Sequence, residues 1–312
     1  MESEPLVPEA YCEPIRALIG PFQVLQDHRR GSSRTGVWKL QALDSGSCYY
    51  AKIFTRKQRW HPEVYAYTRW MPALKPQVPE LVGVFEGDGW QGILITALEG
   101  RIMRAADLEP AARYAAYRKA GEWIRRLHAS ATGEWFGRPD KDGNPLELFH
   151  HRDPVVYIRH TLEELADGCR QEELLQPQEQ KLADWALAHV DVFAGAQPVP
   201  IGWDSTPGNW LVGSNGELTG MIDFENMLWG VDADHFSILF ERYFIEDPQA
   251  EQAFFAGYGP DFPLAHRERL RICCIKLALG DIYWGTRHGM PAVAVYGRRL
   301  LAQLWREDAV LC

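Results

Sequence analysis

No stretch of this chain offers the ~20 consecutive apolar residues needed to span a bilayer. Its opening, MESEPLVPEAYCEP, is acidic and proline-rich where a secretion signal is basic and then apolar, so neither a membrane anchor nor export is expected. Cysteine is sparse. Cys12, Cys48, Cys169, Cys273, Cys274 and Cys312 are scattered with no C-x-x-C pair, which speaks for a reduced, cytoplasmic protein. Basic residues are in deficit, with 33 Lys and Arg against 42 Asp and Glu and a formal charge of −9. A general nucleic-acid binder needs a basic face to displace counterions, whereas a cationic small-molecule partner is compatible with this balance. Repeats and low-complexity linkers are missing too. What is present, 312 residues with 46% hydrophobic and 24% charged, is a globular mix too long for one ordinary core and suited to two lobes or one large α/β unit.

The first third reads as strands and turns. Residues 34–41 and 47–55 are apolar and β-rich and are joined by Asp44-Ser45-Gly46, a hairpin signature. A short helix is expected over 61–71, with Pro62 suited to its first turn. The extended pieces LVGVFEG and GILITAL flank Gly87-Asp88-Gly89. From Leu108 to Ala131, residues such as Ala116, Ala120, Trp123, Ile124 and Leu127 recur at helical spacing. Residues 155–192 are mostly helical with a break near Pro177, a β segment at 199–223 turns at Asn215-Gly216, and the remainder returns to helix. Cys273 and Cys274, in the apolar run RICCIKLALG, read as small buried hydrophobes. The expected fold class is α+β, with a small β-rich lobe over 1–98 and a larger helical lobe over 99–312.

The segment Gly202-Trp203-Asp204-Ser205-Thr206-Pro207-Gly208-Asn209-Trp210 is the most informative. Asp204 and Asn209 straddle a Pro-Gly turn that feeds a strand, and a hairpin later Ile222-Asp223-Phe224-Glu225 brings a second carboxylate back beside that loop. Phosphoryl transfer needs such a set: one carboxylate to orient the attacking hydroxyl, and a carboxamide with a second carboxylate to hold Mg2+ against phosphates. An Asx-turn and a hairpin with acidic ends is the plain structural alternative.

These residues resemble the catalytic loop of the aminoglycoside phosphotransferase (kinase-like) superfamily, written H-x-D-x-x-x-x-N and followed by a strand ending I-D-[WF]-E. The resemblance implies a bilobal protein-kinase-like fold. It puts Asp204 in the catalytic aspartate position, Asn209 in that of the metal-binding asparagine, and Asp223 in that of the aspartate of D-F-G. The family's His, two residues before the catalytic Asp, is Gly202 here. His151-Arg152-Asp153 spells the kinase tripeptide H-R-D, but Ile158 stands where a metal ligand is required, so it is set aside. The nearby His150 and His160 fit no common metal spacing and read as solvated loop.

Lys52, in the apolar run Tyr50-Ala51-Lys52-Ile53, costs desolvation unless it is paired, and Glu63 on the following helix is the expected partner. By resemblance to the kinase V-A-I-K strand, Lys52 would hold the α/β-phosphates of ATP or GTP. The turn Gly31-Ser32-Ser33-Arg34-Thr35-Gly36 has no Walker Lys and matches a phosphate-covering loop only loosely, with Ser32 and Ser33 as contacts. Ala97 and Leu98 resemble the lobe linker whose backbone binds adenine. His128 reads as a structural helix-end residue, and Asp234 as an N-cap that also supports the catalytic loop.

The resulting expectation is a small-molecule kinase that moves a γ-phosphoryl group from ATP or GTP to a hydroxyl. By resemblance the acceptor is an aminoglycoside or another natural-product antibiotic, with Glu225, Asp232, Glu241 and Asp281 available to a cationic substrate. A sugar or choline-like metabolite kinase, a non-catalytic binding protein on a degenerate kinase fold, and a metal-dependent hydrolase are the alternatives. A protein kinase fits less well, because no A-P-E-like anchor follows Asp223 and Glu225-Asn226 replaces the glycine of D-F-G.

Overall fold

The computed structural model describes residues 7–28 and 35–309. Five strands form its first sheet: β1 (Phe22–Asp27), β2 (Gly36–Ala42), β3 (Cys48–Phe54), β4 (Leu81–Gly87) and β5 (Trp90–Thr96). Their order is β1-β2-β3-β5-β4, with every neighbour antiparallel. The β2–β3 connection turns at Asp44-Ser45-Gly46, where Gly46 takes φ 70, a value that favours glycine. Alternation along the strands then sorts side chains between two faces. Trp38, Leu40, Ala51, Ile53 and Leu94 pack with Ile15 of α1 (Glu9–Ile19), while Phe54, Ile93 and Ile95 join the larger core shared with the helical region. Lys52 lies on this second face, its ammonium 5.5 Å from the Phe54 ring centroid.

Two helices here differ from the sequence expectation, both because of proline. α1 occupies a stretch read as strands and turns and contains Pro14. α2 (Lys57–Tyr65) starts four residues earlier than expected, so Pro62 is internal and not in the first turn. Each proline is the sixth residue of its helix and deprives only the second residue's carbonyl, that of Ala10 or Gln58, of an amide donor. Both of those residues are exposed, so the loss of one amide donor falls where solvent can compensate it. After α2 the chain continues through a wide π turn at Ala66–Trp70 and a tighter one at Met71–Leu74.

Past β6 (Arg101–Ile102) the structure is mainly helical: α3 (Pro110–Ser130), α4 (Pro154–Gln171), α5 (Pro177–Ala188), α6 (Ser237–Leu239), α7 (Pro248–Tyr258), α8 (Phe262–Ala265), α9 (Arg267–Arg287) and α10 (Pro291–Ala309). Proline opens α3, α4, α5 and α7, where its missing N–H costs nothing. α3 and α7 cross backbone to backbone. A Cβ on Gly257 would lie 1.9 Å from the Arg118 carbonyl oxygen, and one on Gly121 would lie 2.1 Å from that of Phe254. Four short strands interrupt the helices: β7 (Val199–Gly202), β8 (Trp210–Val212), β9 (Leu218–Met221) and β10 (Met227–Gly230). β8 pairs with β6 and β9, and β7 pairs with β10, which anchors the loop between β7 and β8 at both ends. Cys273 and Cys274 are buried in α9, as expected. Among the described residues no helix is long and apolar enough to cross a membrane. The architecture is the expected α+β one, a β-sheet N-terminal region followed by a helical C-terminal region.

Candidate active site

β3 presents Lys52 to α2 and to the end of β9. Its Nζ lies 2.7 Å from both carboxylate oxygens of Glu63 and 2.9 Å from Oδ1 of Asp223. Glu63 is wholly buried and Lys52 nearly so, whereas the Asp223 side chain keeps 36% of its surface. Burial alone would lower the Lys52 pKa, but Asp223, then Glu63 and Glu225, outweigh it and hold the ammonium well above its ordinary range. Burial pushes the Glu63 carboxyl up to about 7 against the pull of Lys52. Asp223 has φ 68, a left-handed conformation uncommon for a residue with a side chain. Such backbone persists only where its surroundings hold it in place.

The loop from Gly202 to Asn209 is closed on itself. Ser205 N–H donates to the Gly202 carbonyl at 3.2 Å, Thr206 N–H to that of Asp204 at 2.9 Å, and Asn209 N–H to that of Thr206 at 2.7 Å. The Asn209 side chain closes the ring, its Nδ2 donating to the Asp204 carbonyl at 2.8 Å. The β8–β9 hairpin supplies the expected juxtaposition: Ile222 N–H donates to the Asn209 carbonyl at 3.0 Å, which sets Asp223 beside that asparagine. Burial, and then the charge of Asp223, raise the Asp204 pKa, with Asn209 and Arg242 opposing. A carboxylate raised in this way is a better proton acceptor for a hydroxyl. Asn209, just before β8, and Asp223, just after β9, offer hard oxygen donors at the same end of this hairpin, a set that fits Mg2+. Glu63, Asp223 and Glu225 also bring carboxylate oxygens within 4.8 Å of one another.

Asp234 supports this loop as expected, but through partners the sequence reading did not name. Trp203 Nε1 donates to Asp234 Oδ2 at 3.2 Å, and Lys276 Nζ bonds the same oxygen at 2.5 Å. Asp234 is therefore not an N-cap; it lies inside a short 3-10 turn and is held in a buried ion pair. Lys276 carried a visible signal, a lone charge in the apolar run RICCIKLALG. From the other side, Arg104 N–H donates to the Pro207 carbonyl at 2.9 Å. His128 is buried and structural, bonded to Tyr258 and His235. Asp153 of the discarded H-R-D caps α4, accepting from the N–H groups of Val155 and Val156.

Ser32 and Ser33 lie outside the described residues. Ala97 and Leu98 are half-buried after β5, and the Ala97 N–H donates to the Cys48 carbonyl at 3.0 Å. The four acidic residues expected to meet a cationic substrate do not form one open face. Glu225 is buried between Arg59, at 2.5 Å, and Thr35, at 3.2 Å. Glu241 is wholly buried and shares Arg242 with Asp281, at 3.2 and 3.3 Å. Asp232 accepts from the N–H of Ala233 at 2.8 Å. Glu225 and Glu241, the two that are buried, require a cation within the protein and have one in Arg59 and Arg242, whereas Asp232 and Asp281 are part-exposed. Beside Pro207 a cleft of about 550 Å3 is lined by Arg104, Arg113, Tyr117, Arg242 and Asp247 among others, within the size range of small-molecule sites.

A family model described as "Phosphotransferase enzyme family" matches residues 25–273. No curated protein matches the chain. Among solved structures, aminoglycoside phosphotransferase APH(4)-Ia is similar with a TM-score of 0.72 at 16% identity, covering 95% of this chain and 98% of that one. A thermostable mutant of the same enzyme, in a ternary complex with AMP-PNP and hygromycin B, has a TM-score of 0.70 at 14% identity, with coverage of 95% and 98%. The GDP and kanamycin complex of APH(2")-IIia has a TM-score of 0.69 at 14% identity, with coverage of 96% and 100%. At these identities the structural likeness is one of fold.

Proposed function

The chain belongs to the phosphotransferase enzyme family, and from that premise we propose that it transfers the γ-phosphoryl group of ATP or GTP to a hydroxyl of a small molecule. The observation that carries this reading is the meeting of Lys52, Glu63 and Asp223 at bonding distance, one strand from Asn209 and its loop partner Asp204. In this reading Asp204 orients the acceptor hydroxyl and takes its proton, while Lys52, braced by Glu63, holds the α/β-phosphates. Asn209 and Asp223 would hold Mg2+, which neutralises charge on the phosphates when bound. Catalysis would then be mainly positioning and charge stabilisation. The nucleotide-binding lobe would run over 1–98, with Ala97 and Leu98 at the base and Ser32 and Ser33 over the phosphates. Helices and catalytic loop would fill 99–312. A cytoplasmic location accords with scattered cysteines that include no C-x-x-C pair.

An aminoglycoside or other natural-product antibiotic as acceptor, in resistance or self-protection, is supported by the substrates bound in similar folds. The cleft carries both signs of charge, Arg104, Arg113 and Arg242 beside Asp107, Glu246 and Asp247, which is compatible with a cationic or a neutral acceptor. Of the carboxylates expected to meet it, Glu225 is paired with Arg59, and Glu241 and Asp281 share Arg242. Gly202 in place of the family's His leaves the Asp204–Asn209 ring closed, which supports a catalytic reading over a degenerate one. The test is nucleotide consumption with Mg2+ and ATP or GTP across aminoglycosides, nucleoside and peptide antibiotics, and simple sugars and amino alcohols. A product heavier by one phosphoryl group is expected. Nucleotide loss with no acceptor dependence would instead favour the hydrolase, and no nucleotide binding the degenerate module.

A further inference from the structure

Beneath the loop that carries Asp204 lies a second, much smaller cavity of about 20 Å3, walled mostly by apolar side chains such as Leu74, Leu127 and Met221, with Asp204, Trp210 and His235 among the polar groups that reach it. Room for one water molecule takes roughly 10–15 Å3, and a water stays in such a space only where polar groups line it. His235 supplies one. It is 1% exposed, and its Nε2 has no hydrogen-bond partner among the described residues. Trp210, on the same cavity wall, has a buried indole N–H in the same condition.

His235 is also fixed in direction. Its Nδ1 lies 2.8 Å from Nε2 of His128, whose Nδ1 lies 2.9 Å from the Tyr258 hydroxyl. Burial lowers the pKa of both imidazoles, His128 well below its usual range and His235 to about 3, so both are neutral rings. Between two neutral imidazoles one nitrogen must donate and the other accept. The chain from Tyr258 therefore runs with a single polarity and leaves His235 Nε2 with one hydrogen bond to give or receive. A buried group with that capacity costs stability unless something meets it. Gly202 adds no side chain to this wall, although a Cβ there would find ordinary contact distances, 3.5 Å to Met227 and 3.9 Å to Ser205.

We propose that this cavity is a built site for one internal water held by His235, and that His235 is a positioning residue which, through that water, fixes the loop bearing Asp204 and Asn209. The water-site half stands on the cavity and the imidazole alone, while the catalytic consequence rests on the phosphotransferase reading. Trp203 pins the loop to Asp234 on one side, and the water would pin it from below where residue 202 has no side chain.

The test compares high-resolution crystal structures of the wild type, His235→Phe and His235→Gln, with turnover of Mg·ATP and Mg·GTP by each. The wild type should show one ordered water within bonding distance of His235 Nε2 and of a loop group. His235→Phe should lose that water and displace the loop. Its turnover should fall on the order of 10- to 100-fold with the nucleotide KM little changed, and His235→Gln, which restores a polar atom near the Nε2 position, should recover part of it. A dry wild-type cavity overturns the proposal, as does an unmoved loop in a folded His235→Phe. If the wild type binds no nucleotide, the phosphotransferase reading fails, while the crystallographic comparison still decides the water site.

Discussion

Two buried lysines, Lys52 and Lys276, are nearly alike in exposure and opposite in use. Lys276 is 6% exposed and meets a single carboxylate, Asp234, itself 2% exposed and closed off further by the Trp203 indole. Lys52 is 7% exposed but serves two carboxylates, the wholly buried Glu63 and the part-exposed Asp223, whose backbone is left-handed. For both, burial works against the charge and carboxylates overcome it. The difference is that the Lys276 pair is sealed and holds a loop in place, whereas the Lys52 cluster keeps one arm, Asp223, part-exposed, where in the proposed reading phosphate and metal would compete for it. A buried ion pair is by itself weak evidence for either role; the exposed arm and the strained backbone separate the two.

The largest effect should come from neither lysine but from the group their surroundings position. Asp204→Asn is expected to lower turnover by about 100- to 10,000-fold with nucleotide affinity nearly retained, as steady-state kinetics and a binding titration would show. Lys276→Met should sharpen the contrast. It strands Asp234 without its cation and should cost roughly 3–5 kcal/mol of stability, visible as a lowered denaturation midpoint, with activity lost only through the loosened loop. Lys52→Met should reverse the emphasis: stability falls by a smaller ~1–3 kcal/mol because Asp223 reaches water and Glu63 can take up a proton, while nucleotide affinity and turnover fall sharply. If the two variants gave the same ratio of stability loss to activity loss, the distinction would collapse.

The smallest effect concerns pH. Glu63 is held at about 7, above the ordinary 4.5 of a glutamate. The folded state therefore binds its proton more tightly than the unfolded state, so this group's contribution to stability is full below pH 4.5 and declines as pH rises toward 7. Glu63→Gln should remove that decline, measured as the difference between the two proteins' unfolding free energies at pH 5 and pH 7.5.

How much of this was legible follows from the distances involved. Lys52 could be read because a lone ammonium between Ala51 and Ile53 demands a partner, and α2 is the next element to offer one. Asp204, Asn209 and Asp223 could be read because a short hairpin fixes their meeting locally. Lys276 carries the same signal as Lys52, yet its partner Asp234 is 42 residues away on another element, and reading RICCIKLALG through its thiols passes over the lysine. The partner of Glu225 was hidden for a related reason: a carboxylate in a sequence looks equally available whether or not a distant guanidinium, here that of Arg59, will cover it. Pro62 lies deeper in its helix than expected because, as at Pro14, the carbonyl it deprives belongs to an exposed residue. The left-handed φ of Asp223 has only a faint sequence signature, since aspartate visits that region more often than most residues but far less readily than glycine.

The most direct test of the exposed arm is the affinity of Mg·ATP and Mg·GTP for Asp223→Asn, measured beside the wild type and Asp204→Asn. The site as assigned predicts that Asp223→Asn weakens binding by roughly tenfold or more and loses the benefit of added Mg2+, while Asp204→Asn binds almost as the wild type does. Equal, Mg2+-dependent binding by Asp223→Asn and the wild type would contradict it.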